Sequence, residues 1–158
     1  DQIEFKLRRA QSLMSRLEAD QRDFLASTGS LKVPKSVMDN LPGGRAGTAV
    51  KFAINQIGEP YVWGANGPSS WDCSSLTQQA WASAGVALPR VSGKQATVGS
   101  PVSKANLKPG DLVFFYSPIS HVGIYIGEGL MIHAPNPSTV VKVTQIDVLP
   151  WATGRRVG

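Results

Sequence analysis

Sulfur and imidazole are scarce in this chain: it has a single cysteine, Cys73, and two histidines, His121 and His133. One thiol excludes an internal disulfide and a multi-cysteine zinc site. No apolar run approaches the ~18 residues of a membrane span, so no spanning segment is expected. No methionine heads the chain, and no basic-then-apolar leader follows Asp1. The sequence therefore reads as an excised piece, with any export signal expected outside it. The net charge is +5, which favours acidic partners such as wall polymers or anionic lipid. There is no nucleic-acid-binding motif, and no nucleic-acid partner is expected.

What is present divides the chain in three. Ile3, Leu7, Ala10, Met14, Leu17, Gln21 and Phe24 alternate at spacings of four and three. That seam predicts an amphipathic, coiled-coil-like helix over residues 1–27. Alone in water such a helix is marginal, so a helix partner through residues 3–24 is expected. Residues 28–45 are rich in Pro, Gly and Ser, and read as a linker. From residue 46 to 158 the pattern is that of a globular domain. Ala49, Val50, Ala53, Ile54 and Ile57 make one helix face that Gly58 ends. Asp72 can cap a second helix that Gly85 ends. "LPRVSGKQATVG" turns into a short helix. Beyond Pro101, "DLVFFY", "HVGIYIG", "LMIHA" and "TVVKVT" read as strands separated by Gly, Pro and Asn. Helices first and strands after predict an α+β domain with an antiparallel sheet.

Cys73 stands where a Gly/Pro/Ser turn becomes a helix. A helix N-terminus carries partial positive charge and unpaired N–H groups. A cysteine placed there can have its pKa drawn from ~8.5 to ~7.5 or below. The same N–H groups point toward an oxyanion formed on an attacked carbonyl. A buried structural thiol is the alternative, and position alone does not exclude it.

A thiol nucleophile needs a base. Both histidines fall on one predicted hairpin, and strand parity tests whether they share a face. With Gly127-Glu128-Gly129 as a three-residue loop, Ile126 pairs with Leu130 and Gly123 with His133. His121 and His133 then occupy the same face as diagonal neighbours, ~7–8 Å apart at the backbone. A two-residue loop would separate them. One histidine can then be a base and the other its orienter. Geometry alone leaves open which is which.

The ordered pieces "EPYVWGANGPSSWDCSSLTQQAW", "LPRVSGKQ", "LKPGDLVFFY" and "HVGIYIGEGLMIHAP" resemble the NlpC-type bacterial cell-wall cysteine peptidases over residues 46–158. The resemblance implies a papain-like α+β fold with helices on a central antiparallel sheet. It implies cleavage of peptidoglycan stem peptides, usually between D-γ-glutamate and a diamino acid. It implies Cys73 as nucleophile, His121 as base and His133 as the orienting third residue. Tyr61 would stand near the thiolate and the oxyanion. Asp72 and Ser74 would line the site for the substrate's amino end, and Arg90 and Ser92 would hold the glutamate α-carboxylate. One position departs from the family: Ser75 stands where glycine is usual.

The expected function is thus a secreted or wall-associated peptidoglycan endopeptidase working by a Cys-His-His thiol mechanism. Rivals are an inactive wall-peptide-binding domain, an amidase or acyltransferase on the same fold, and a scaffold recruited through the heptad helix. Cys73, His121 and His133 supply only three ligands from two elements, and neither metal nor cofactor is expected.

Overall fold

The structure is a computed structural model that describes residues 29–158. The helix expected over residues 1–27, and with it any partner of residues 3–24, lies outside the described residues. Among the described residues, four α-helices and six strands follow in chain order. Helix α1 is Lys35–Asp39, α2 is Gly44–Asn55, α3 is Cys73–Ser83 and α4 is Ser92–Gln95. The strands are β1 (Ser100–Val102), β2 (Leu112–Phe115), β3 (His121–Gly127), β4 (Leu130–His133), β5 (Lys142–Gln145) and β6 (Trp151–Arg156). They form one sheet in the order β1-β6-β2-β3-β4-β5 with every pair antiparallel. No helix among the described residues is long and apolar enough to cross a membrane.

Period-two alternation sorts the sheet into two faces. Leu112, Phe114, Val122, Ile124, Ile132 and Val143 point to the helices, and pack with Ala49, Val50 and Ala53 of α2 and Leu76, Ala80 and Trp81 of α3. Each large side chain so buried contributes about 1.5–3 kcal/mol. The opposite face carries a smaller cluster of Val113, Phe115, Met131 and Ile146, half-covered by Leu107, Tyr125, Leu149 and Trp151.

The β3–β4 register pairs Ile124 with Ile132 and Tyr125 with Met131, which sets Gly123 opposite His133. This is the register that puts both histidines on one face. The tip differs from the expected three-residue loop. Gly127 pairs with Leu130 across a register shift that leaves Ile126 out of the ladder. Gly127 takes φ +107°, Glu128 +55° and Gly129 +74°, and an extra residue in one strand absorbs the change of loop length.

Of the stretch expected as a linker, residues 29–45 are described, and they run as a strap along the domain. Leu31 N–H donates to Val143 O at 2.9 Å, and Val143 N–H donates to Ser30 Oγ at 3.1 Å. Val37 of α1 is buried, and Ser36 Oγ donates to Glu128 at 2.6 Å. A few apolar residues without periodicity suffice for this docking, so composition gave no sign of it. Further along the same margin, Gly58 N–H donates to Val141 O and Val141 N–H to Glu59 O, each at 2.8 Å.

Candidate active site

The helix carrying Cys73 begins where Asp72 forces it to. Asp72 Oδ1 accepts from Ser75 N–H at 2.8 Å, and Ser75 Oγ accepts from Asp72 N–H at 3.0 Å. This reciprocal capping box satisfies two otherwise unpaired groups. It gives the Ser75 hydroxyl a structural task. Gly85, at φ +84°, follows the last turn of the helix as expected.

Cys73 is therefore the first residue of α3 and only partly buried. It lines an open cleft with Trp63, Gly64, Asp72, Ser74, Arg90, Val91, Ser92 and Ser120. The backbone N–H groups of Val122, Ser74 and Cys73 itself point at the sulfur. The Val122 contact places the thiol near the start of β3, the strand that His121 opens.

His121, His133 and Thr144 lie on one sheet face across β3, β4 and β5. His121 Nε2 is 2.8 Å from His133 Nδ1, and His133 Nε2 is 3.0 Å from Thr144 Oγ1. The rings of Phe115 and His121 are 5.9 Å apart between centroids. Gly123 makes room for the pair: a Cβ there would meet His133 Cβ at 3.2 Å and Met131 Sδ at 3.0 Å. Both histidines are buried.

Burial sets the charges. It pushes the Cys73 thiol up from its ordinary value, and the Asp72 carboxylate pushes the same way against the backbone N–H groups. It pushes His121 down to about 4. It holds His133 well below the ordinary imidazole range, with His121 and Lys142 adding to the effect. The helix end alone suggested a lowered thiol pKa. Removal from water outweighs it, and burial favours the uncharged form of both the thiol and the imidazole.

A stability prediction follows from the histidines. Their folded pKa values are depressed, so below the unfolded value of about 6.5 the unfolded chain binds more protons and folding is weakened as pH falls. Between pH 7 and pH 5 carboxylates scarcely titrate, and His121 alone should cost roughly 2 kcal/mol. His133 acts in the same direction. Urea midpoints at the two pH values check this, and equal midpoints would contradict it.

Arg90 was expected to offer its fork to a ligand carboxylate. All five of its N–H groups are instead engaged within the protein. They reach Asn66 Oδ1 at 2.7 Å, Ser74 Oγ at 2.7 Å, Asp72 Oδ1 and Oδ2 at 3.1 and 2.6 Å, and Ala65 O at 3.4 Å. Asp72 Oδ2 also accepts from Gly64 N–H at 3.1 Å. Burial raises the Asp72 carboxyl, but Arg90 and Ser75 outweigh it and hold it below the ordinary carboxylate range. Asp72 thus ties the loop of residues 64–66, the helix tip and Arg90 together. Ser92, the other residue expected to grip a carboxylate, lines the cleft at the first position of α4.

Tyr61 is buried near Cys73 and Asp72, whose charges act on it after burial itself to raise its phenol pKa. It remains an O–H donor. Of the tryptophans, Trp71 and Trp81 are core, whereas Trp63 is 83% exposed on the rim of the cleft. Sequence reasoning missed the cleft residues Trp63, Gly64, Val91 and Ser120, the spacing role of Gly123, and Thr144. Only Thr144 was within reach, since hairpin parity extended by one strand would have put it on the histidine face. Among the described residues, no three His, Cys, Asp or Glu side chains are grouped to hold a metal ion.

The family model described as "NlpC/P60 family" matches residues 58–155. A probable endopeptidase of Corynebacterium glutamicum strain R is 42% identical over 127 residues, covering 80% of this chain and 60% of that protein. The probable endopeptidase p60 of Listeria monocytogenes is 46% identical over 101 residues, 63% of this chain and 20% of that protein. This chain therefore spans 60% or less of these two curated relatives. Among solved structures, the NlpC/p60 domain of peptidoglycan hydrolase SagA superposes with TM-score 0.67 at 34% identity, over 71% of this chain and 98% of that one. Peptidoglycan hydrolase RipB of Mycobacterium tuberculosis gives TM-score 0.62 at 31% identity, over 94% and 83%.

Proposed function

Because this chain belongs to the NlpC/P60 family, we propose that it is a cysteine endopeptidase of bacterial peptidoglycan, acting outside the cell on stem peptides at the D-γ-glutamyl–diamino acid bond. One observation carries the reading: a helix-tip thiol in an open cleft, held near the start of the strand that His121 opens, with His121 Nε2 already committed to a second imidazole.

With Nε2 of His121 taken, Nδ1 is the nitrogen left for the thiol. Cys73 and His121 begin neutral, so proton transfer accompanies attack. The sulfur bonds to the amide carbonyl carbon as its proton passes to His121. The carbonyl π electrons move to oxygen, and the oxyanion is met by backbone N–H groups at the helix tip and by the Tyr61 hydroxyl. His121 then delivers the proton to the leaving amine, the C–N bond breaks and a thioester remains. Water, deprotonated by the same imidazole, hydrolyses it and restores the thiol. Asp72 and Ser74 shape the end of the cleft nearest the loop of residues 64–66. Asp72 and Arg90 supply position here, because their polar atoms are spent on each other and on neighbouring groups of the protein.

Mass spectrometry of purified peptidoglycan after digestion tests the proposal. The expected new ends are a free α-amino group on the diamino acid and a free γ-carboxyl on glutamate. Release of intact stem peptides from the sugar would replace the endopeptidase reading by that of an amidase.

A further inference from the structure

We propose that Thr144 is a positioning residue for the reaction: its hydroxyl is the terminal acceptor that lets a neutral His133 support a protonated His121. The proposal rests on the reading of Cys73 and His121 as nucleophile and base.

Proton counting leads to it. A neutral imidazole has one N–H, and an imidazolium has two. Once His121 takes the thiol proton, both of its nitrogens bear hydrogen. Its Nε2–H can only donate across the 2.8 Å contact, so His133 Nδ1 must be the bare nitrogen. The single proton of His133 then sits on Nε2. That nitrogen is buried, and a buried N–H without an acceptor is costly. The acceptor in place is Thr144 Oγ1 at 3.0 Å.

The opposite tautomer defeats the reaction. If His133 carried its proton on Nδ1, it would donate to His121 Nε2. The His121 proton would then lie on Nδ1, facing the thiol it should deprotonate. A carboxylate in the third position would enforce the productive arrangement by charge. A histidine needs something beyond it to do so, and here that is one hydroxyl on the next strand. Thr144 also lines a surface pocket with Gly29, Leu31, Gln145 and Val148. A hydroxyl carries one O–H to donate and two lone pairs to accept with, so Thr144 Oγ1 can accept from His133 while its own proton is free to turn elsewhere.

The test compares Thr144→Val, which keeps the shape and removes the hydroxyl, with Thr144→Ser, which keeps the hydroxyl. Thr144→Val is expected to lower kcat about 10- to 100-fold with KM nearly unchanged, and Thr144→Ser to restore most of the loss. Nitrogen NMR gives a readout independent of turnover, since the chain has only two histidines. His133 should be protonated at Nε2 in the unaltered protein and in Thr144→Ser, and lose that preference in Thr144→Val. An unchanged His133 tautomer or an unchanged kcat in folded Thr144→Val overturns the proposal, as does a Thr144→Ser variant no better than valine. If Cys73→Ala kept its turnover, the thiol reading would fall instead, and the nitrogen signals would still decide whether Thr144 sets the tautomer.

Discussion

Cys73→Ala is expected to abolish the proposed hydrolysis of purified peptidoglycan, lowering turnover by about 10⁴-fold or more, and to leave the fold standing. The size follows from the loss of the only thiol in the chain. What remains is a cleft that can bind and a set of N–H groups with no tetrahedral species to stabilise. Alanine at the first helical position keeps the backbone of α3, and the Asp72–Ser75 cap does not involve the deleted sulfur. The side chain is only partly buried, so stability should change by less than about 1 kcal/mol. Chromatography of released fragments, beside a thermal unfolding curve, reads both quantities. Turnover kept by a folded Cys73→Ala protein would remove the thiol from the mechanism.

The second large effect is on stability. Asp72→Ala should cost roughly 3 kcal/mol and lower turnover with it. About 1 kcal/mol comes from the lost cap. The rest comes from a guanidinium stripped of its carboxylate, discounted because the Arg90 side chain is a third exposed. Asp72→Asn separates the two contributions, since asparagine caps as well as aspartate but carries no charge to hold Arg90. Its loss should fall near 2 kcal/mol. Urea unfolding of the three proteins measures the differences. An Asp72→Ala protein within 0.5 kcal/mol (about the scatter of ordinary surface changes) would show that the network around Arg90 is not a support of the site.

These expectations show where the sequence was legible. Helices α2 and α3 were visible because each has its apolar residues on one face and its own stop signal. The histidine pair was visible because a hairpin has period two, and one choice of loop fixes every partner. The strand β6 was not seen. It is a short Trp-Ala-Thr-Gly-Arg-Arg stretch behind Pro150, and it inserts between β1 and β2, whose residues lie far back in the chain. Gly154 looks like a strand breaker in sequence. In the sheet it is required, because a Cβ there would stand 2.8 Å from Val102 O. The chemistry of Arg90 was legible but its partner was not: a guanidinium announces a carboxylate, and nothing local says that the carboxylate is Asp72, eighteen residues back. The charge on the thiol failed for the same reason. A helix tip can be read from a few neighbours, whereas burial is a property of the whole fold.

The way the sheet ends at each side has a consequence for solution behaviour. At the β5 margin, the outward amide groups of Val141 and Val143 are already taken by residues 58–59 and 30–31. At the β1 margin the strand is three residues long and has Pro101 at its centre. Neither side offers a row of open donors and acceptors on which a second molecule could add a strand. The domain is thereby guarded against fibril-like stacking, and the guard at one side is the same Ser30–Leu31 segment whose composition looked like mere tether.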